Sequence, residues 1–187
     1  DTGTPGNTDG GDGGGTGADA DAGCTQPCNG SLVWLHSFGS TAGDSIISTT
    51  VDRDGNSYLL AYAGAALGLS DDGGPPSINA PGIFAARFNA DGTPGWVRAV
   101  TGNLPGTTRL AVDKTGALYV AGNYYNANNT TPMSWGLQAT GLGSTGANTY
   151  HDGYDIFILK ISAMTGDFLS ARQLGAGGNG YDDFYAL

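Results

Sequence analysis

The sequence predicts an all-β fold assembled from repeated antiparallel strands, and three observations predict it. A phrase occurs twice: Val51-Asp52-Arg53-Asp54-Gly55-Asn56-Ser57-Tyr58 returns as Val112-Asp113-Lys114-Thr115-Gly116-Ala117-Leu118-Tyr119, 61 residues further on. A phrase that comes back at an interval marks a repeat architecture. All 17 acidic residues are Asp, none is Glu, and 34 of the 187 residues are Gly. Asp and Gly serve turns, whereas Glu is the helix former that is missing. The runs Ile83-Phe84-Ala85-Ala86-Arg87-Phe88 and Ile156-Phe157-Ile158-Leu159-Lys160-Ile161 are apolar at successive positions. Such a run suits a strand covered on both faces.

The elements follow in order. Residues 32–39 read as a strand closed by Gly39, and Gly43-Asp44 as a turn. Residues 46–51 and 57–62 form a hairpin across the turn from Asp52 to Gly55. A long loop over 63–81 holds Asp71, Asp72, Gly73, Gly74, Pro75 and Pro76. Residues 83–88 are the buried third strand, Asn89-Ala90-Asp91-Gly92 is a turn, and 96–100 is the fourth strand. The second unit repeats this order. Its strands lie at 109–112, 118–123, 156–161 and 168–174, with a longer loop over 124–154 and a turn over 162–167. The third strands align Phe84 with Phe157, 73 residues apart, because the second loop is longer. Repeats tolerate insertions confined to a loop. The connector after residue 39 is echoed after residue 175, and 183–187 read as the start of a third unit.

Four antiparallel strands per unit with Gly/Asp turns are what a β-propeller blade requires. A blade cannot bury its faces alone and stacks on its neighbours. The expected fold is therefore a β-propeller-like repeat of four-stranded antiparallel blades. Two are complete, about 44–102 and 107–175, with one strand of a preceding blade and a partial blade from 176. Two blades cannot close a ring, so the chain is expected to be a fragment of a longer protein containing further blades.

The Val-Asp-x-x-Gly-x-x-Tyr phrase, the Phe-x-x-[Arg/Lys]-[Phe/Ile] strand, the Trp34-x-x-x-Phe38-Gly39 strand and the Gly-x-Asp connector together resemble the SBBP repeat of bacterial β-propellers. The resemblance covers about residues 32–187 and implies that these phrases run from the first to the fourth strand of each blade. Ser170 stands where the pattern would place Trp.

Residues 1–23 are Gly, Asp, Thr and Ala with few others, carrying five Asp and no basic residue. Without large apolar side chains, nothing offsets the entropy of ordering them. They are expected to be a disordered, self-repelling tether. Such a tether suits an outer-surface lipoprotein or a secreted protein. Cys24 and Cys28, the only cysteines, lie in the loop 24–31. Two thiols are too few for structural zinc, and three residues between them do not fit a redox pair. A small disulfide is the reading, consistent with an extracytoplasmic compartment. No run of 18 apolar residues exists, so no helical membrane span is predicted. The net charge of -10 argues against nucleic acid.

No catalytic site is expected. Of the two His, His36 lies mid-strand in a structural or pore-lining position, and His151 lies in a loop near Asp152 and Asp155. The pairs Asp71-Asp72 and Asp182-Asp183 are read as solvated. Cofactors are expected to be absent. Calcium is the one ion considered, at the acidic tether or at Asp52-Arg53-Asp54-Gly55-Asn56, but the terminal Glu of an EF-hand is missing. The second copy also replaces Asp54 by Thr115 and Asn56 by Ala117. The candidate ligand-binding residues are Tyr124, Tyr125, Asn126, Trp135 and Tyr150 of the second long loop, with Asn128 and Asn129 beside them. Aromatic and Asn side chains there could stack on and hydrogen-bond to a carbohydrate or protein partner. The function predicted is a non-catalytic scaffold or ligand-binding surface. The alternatives are part of a propeller enzyme whose catalytic residues lie elsewhere, and a cell-surface adhesion module.

Overall fold

The structure is a computed structural model and describes residues 32–69, 76–101, 107–125, 133–140 and 154–174. The expected tether and both cysteines, Cys24 and Cys28, lie outside the described residues, as do Asn126, Tyr150, His151 and residues 175–187.

The described residues are all-β and contain no helix. The strands are β1 (Ser45–Val51), β2 (Ser57–Ala63), β3 (Leu67–Gly68), β4 (Ser77–Ile78), β5 (Gly82–Phe88), β6 (Pro94–Thr101), β7 (Arg109–Val112), β8 (Ala117–Tyr125), β9 (Ser134–Trp135), β10 (Gln138–Ala139), β11 (Tyr154–Ser162) and β12 (Phe168–Leu174). They form a six-stranded sheet in the order β1-β2-β5-β6-β9-β10, a four-stranded sheet in the order β12-β11-β8-β7, and the small β3-β4 pair. Every pairing is antiparallel.

The two main sheets share a register. Arg87 faces Trp96 as Lys160 faces Ser170, and Tyr58 faces Arg87 as Tyr119 faces Lys160. Both carry a register shift directly after the basic residue, between Arg87 and Phe88 and between Lys160 and Ile161. A bulge kept at one place in two sheets re-aims the chain into the following turn in the same way.

Strand alternation then distributes the side chains. Tyr58, Leu60, Ala85, Trp96 and Val100 of the six-stranded sheet meet Leu110, Leu118, Val120, Phe157, Leu159 and Ile161 of the four-stranded sheet in one core. Phe157, Leu159 and Ile161 are fully buried, each contributing about 1.5–3 kcal/mol of apolar transfer. The opposite face of β2 and β5 places Leu59, Ala61, Phe84, Ala86 and Phe88 in a second core. The apolar run 83–88 is thus explained by burial on both faces. A hydrogen bond from the Leu110 amide to Ser48 Oγ, 3.0 Å, joins the sheets at β1 and β7.

Two expectations are corrected. Residues 32–39 form no strand. A strand needs a hydrogen-bonded neighbour, and this segment pairs with none of the described strands. Its alternation survives as packing: Trp34, His36 and Phe38 fan over Phe88 at ring separations of 6.2, 5.8 and 5.7 Å, while Leu35 stays exposed. The segments read as long loops also contain short strands. Leu67, Leu69 and Ile78 around the β3-β4 pair join the second core of their own sheet. The β9-β10 pair instead crosses over and extends the first sheet, with Val100 opposite Trp135 and Thr101 opposite Ser134.

Candidate functional site

The repeated phrase folds into the same turn twice. Gly55 N–H donates to Asp52 O at 3.1 Å and Gly116 N–H to Asp113 O at 3.2 Å. Gly55 and Gly116 have φ of 84° and 81°, a conformation costly for any residue with a Cβ. The Asp side chain holds the turn together. Asp52 Oδ1 accepts from the amides of Asp54 (3.0 Å) and Asn56 (2.9 Å). Its Oδ2 accepts from Asn56 Nδ2 and the Tyr58 hydroxyl, both at 2.9 Å. Asp113 accepts from the Thr115 amide and hydroxyl, the Ala117 amide and the Tyr119 hydroxyl. The shared Asp, Gly and Tyr are thereby each assigned a bond or a backbone angle. Both carboxylates are directed at donors of their own chain. Among the described residues no group of three His, Cys, Asp or Glu side chains is placed to hold a metal ion.

These bonds shift the titrations. The Thr115 hydroxyl, followed by the backbone amides, holds the Asp113 carboxyl down at about 2 against an ordinary 3.8. Burial opposes ionisation of Asp52, but the bonds from Asn56, Tyr58 and two amides outweigh it and hold its carboxyl low. Burial, then the bond to Asp52, pushes the Tyr58 hydroxyl up from 10.0 to about 12. A carboxylate lowered by folding stabilises the fold above its unfolded value, and this is lost as pH falls through the folded one. A hydroxyl raised by folding contributes stability that is intact below pH 10 and lost on the way to pH 12. The urea midpoint is therefore expected to fall between about pH 4 and 2, and again between about pH 10 and 12. Asp113→Asn should flatten the acid limb. A wild-type midpoint unchanged from pH 4 to 2 would contradict the turn assignment.

A second repeated arrangement involves tryptophan. Trp34 Nε1–H donates to Ala90 O at 3.1 Å, and Trp96 Nε1–H to Ala163 O at 3.0 Å. Each indole lies over a turn glycine. A Cβ on Gly92 would stand 2.8 Å from Trp34 Cγ, and one on Gly166 would stand 2.6 Å from Trp96 Cδ2. The turn at 162–167 receives two more donors: Trp135 Nε1–H to Gly166 O at 2.8 Å and Arg98 Nη2–H to Thr165 O at 2.8 Å. Three carbonyls of this one turn, those of Ala163, Thr165 and Gly166, are thus capped by side chains of β6 and β9. The pairing was foreshadowed in the sequence, since Trp34 and Trp96 stand 62 residues apart, close to the 61 of the phrase.

Beside this turn lies a groove of about 640 Å³, bounded by Val97, Arg98, Ala99, Trp135, Gly136, Leu137 and the stretch Gly166, Asp167, Phe168. Leu137, at the tip of the β9-β10 hairpin, is fully exposed. The Arg98 guanidinium lies 3.7 Å from the Asp167 carboxylate and 5.9 Å from the Trp96 ring centre. The groove offers an apolar lip, an aromatic wall and one ion pair. A smaller cavity of about 350 Å³ is lined by His36, Phe38, Asp44, Ile46, Tyr62 and Phe84, among others.

Of the residues predicted to bind a ligand, Trp135 and Tyr124 are 2% and 5% exposed. Trp135 stacks edge-on against Trp96 and Tyr124 against Phe157, so the core takes most of both rings. Trp135 also borders the groove. Tyr125 ends β8, paired with Tyr154. Asn126, Tyr150, His151, Asp71, Asp72, Asp182 and Asp183 fall outside the described residues. His36 is half-buried against Trp34 and Phe88. Sequence reasoning missed Arg98, Leu137 and Asp167, which carry no motif and meet through the crossing of β9-β10.

No protein-family model matches the chain, and no curated protein matches it. Among the described residues no helix is long and apolar enough to cross a membrane.

Proposed function

We propose that this chain is a non-catalytic, extracytoplasmic scaffold of the β-propeller repeat type, related to the SBBP repeat, that binds a protein or carbohydrate partner. The two register-matched, bulge-matched sheets stacked face to face support the repeat reading. The groove of Arg98, Trp135, Leu137 and Asp167 carries the binding reading. An exposed apolar side chain at the lip of a concave, partly aromatic surface with a few polar groups is the usual make-up of a recognition site. The chain's charge of -10 favours a neutral or cationic partner.

The test is a screen of the purified chain against a glycan array and a displayed peptide library. A hit is expected whose affinity falls at least about tenfold on Leu137→Asp, since the change both removes the apolar contact and desolvates a new carboxylate against the partner. Leu137 is fully exposed, so the substitution leaves the fold in place. Absence of any hit, or a hit indifferent to Leu137→Asp, rejects the reading.

A further inference from the structure

We propose that the surface formed by Phe88, Ala90 and Gly92 is a binding site for an extended peptide of the pattern Trp-x-x-x-Phe. Residues 34–39 form a strap that fills this site in cis. The site shares no residue with the groove, and its test does not depend on the reading above.

Three observations carry it. Among the described residues the strap pairs with no strand, and its side chains make the contacts that seat it. The Trp34 indole donates to Ala90 O and lies over Gly92, and Phe38 stacks on Phe88 at an interplanar angle of 17°. The same kind of acceptor is used a second time, where Trp96 of a different sheet donates to Ala163 O and lies over Gly166. The contact recurs at repeat-equivalent positions, so an indole laid over the glycine with its N–H on the turn carbonyl is a property of this kind of turn and not of one chance packing. The strap also seats incompletely: the 350 Å³ cavity opens beside His36 and Phe38, against β1 and β2.

The chemistry defines the occupant. A flat ring must cover a glycine that has no Cβ, an N–H must reach the Ala90 carbonyl, and a second aromatic four residues later must meet Phe88. In an extended chain, residues four apart lie on one face, which lets Trp34 and Phe38 both reach Phe88, at ring separations of 6.2 and 5.7 Å. A tethered strap acts at an effective concentration of order millimolar. A free peptide therefore competes poorly with an intact strap and well with a weakened one.

The probe is a labelled synthetic peptide of residues 32–39, titrated by fluorescence anisotropy into the full chain. The Trp34→Ala chain should bind it at least about tenfold more tightly than the wild-type chain does. A peptide with Ala in place of its Trp should not bind. No binding to the Trp34→Ala chain up to about 1 mM peptide, with its near-ultraviolet signal retained, overturns the proposal. Equal binding of the two peptides overturns it as well. If Trp34→Ala loses that signal, Trp34→Phe takes its place, because it keeps the ring stack and removes only the N–H donor. The same two outcomes then decide.

Discussion

Trp96→Ala is expected to cost about 3–5 kcal/mol of stability, as large-to-small changes at buried aromatics do. The side chain is 6% exposed and sits where the two sheets meet. It touches Tyr58 and Trp135 at ring separations of 6.3 and 6.4 Å, and its N–H reaches Ala163 O across the interface. Truncation opens a cavity, removes two aromatic contacts and leaves a buried carbonyl without its donor. A domain of this kind has only about 5–15 kcal/mol to lose. Trp96→Phe separates the terms: it keeps most of the ring and removes the donor, so a loss of about 1–3 kcal/mol is expected. Urea unfolding followed by circular dichroism measures both. A loss under about 1 kcal/mol for Trp96→Ala would mean that the inter-sheet core is not the main source of stability.

Gly166→Ala should be nearly as damaging, although it adds a single methyl group. The residue has φ of 72°, where a Cβ costs about 1–2 kcal/mol. The new Cβ would also stand 2.6 Å from Trp96 Cδ2 and 2.9 Å from Cε3. That ring is pinned by its own hydrogen bond, so overpacking adds about 1–3 kcal/mol. Gly116→Ala is the matched control, with φ of 81° and nothing within 4 Å of the added atom. It should lose the backbone cost of about 1–2 kcal/mol alone. Equal losses at the two positions would show that the indole yields to the methyl group and that the close approach is not a constraint.

Both expectations concern contacts between sheets, the level at which the sequence was least legible. The repeated phrase could be read correctly because everything it uses is local. Asp52 and Asp113 bond to residues two, four and six positions away, and Gly55 and Gly116 supply the turn within the same eight residues. The strands at 109–112 and 168–174 form with the bounds that their apolar pattern and flanking turns predict. Residues 32–39 have a strand-like pattern as well, but whether a pattern becomes a strand depends on a neighbour that the pattern does not name. The candidate ligand residues show the same limit. Tyr124 and Trp135 look like loop aromatics in a linear reading, and only the pairing of β9 with β6 and the packing of β8 on β11 put them in the core.

The sequence by itself determined an all-β chain, the turn that recurs at 52 and 113, and the placement of most main strands, since composition, alternation and turn chemistry act over a few residues. The tertiary structure decided where the inserts go, which face of each sheet is covered and which side chains remain exposed. The inserts separate because Leu67 and Ile78 find apolar cover on the sheet whose strands they connect, while Ser134 and Trp135 pair with the β6 edge of the other sheet. A side chain is buried by whatever reaches it through space, and that depends on contacts between residues far apart in the chain.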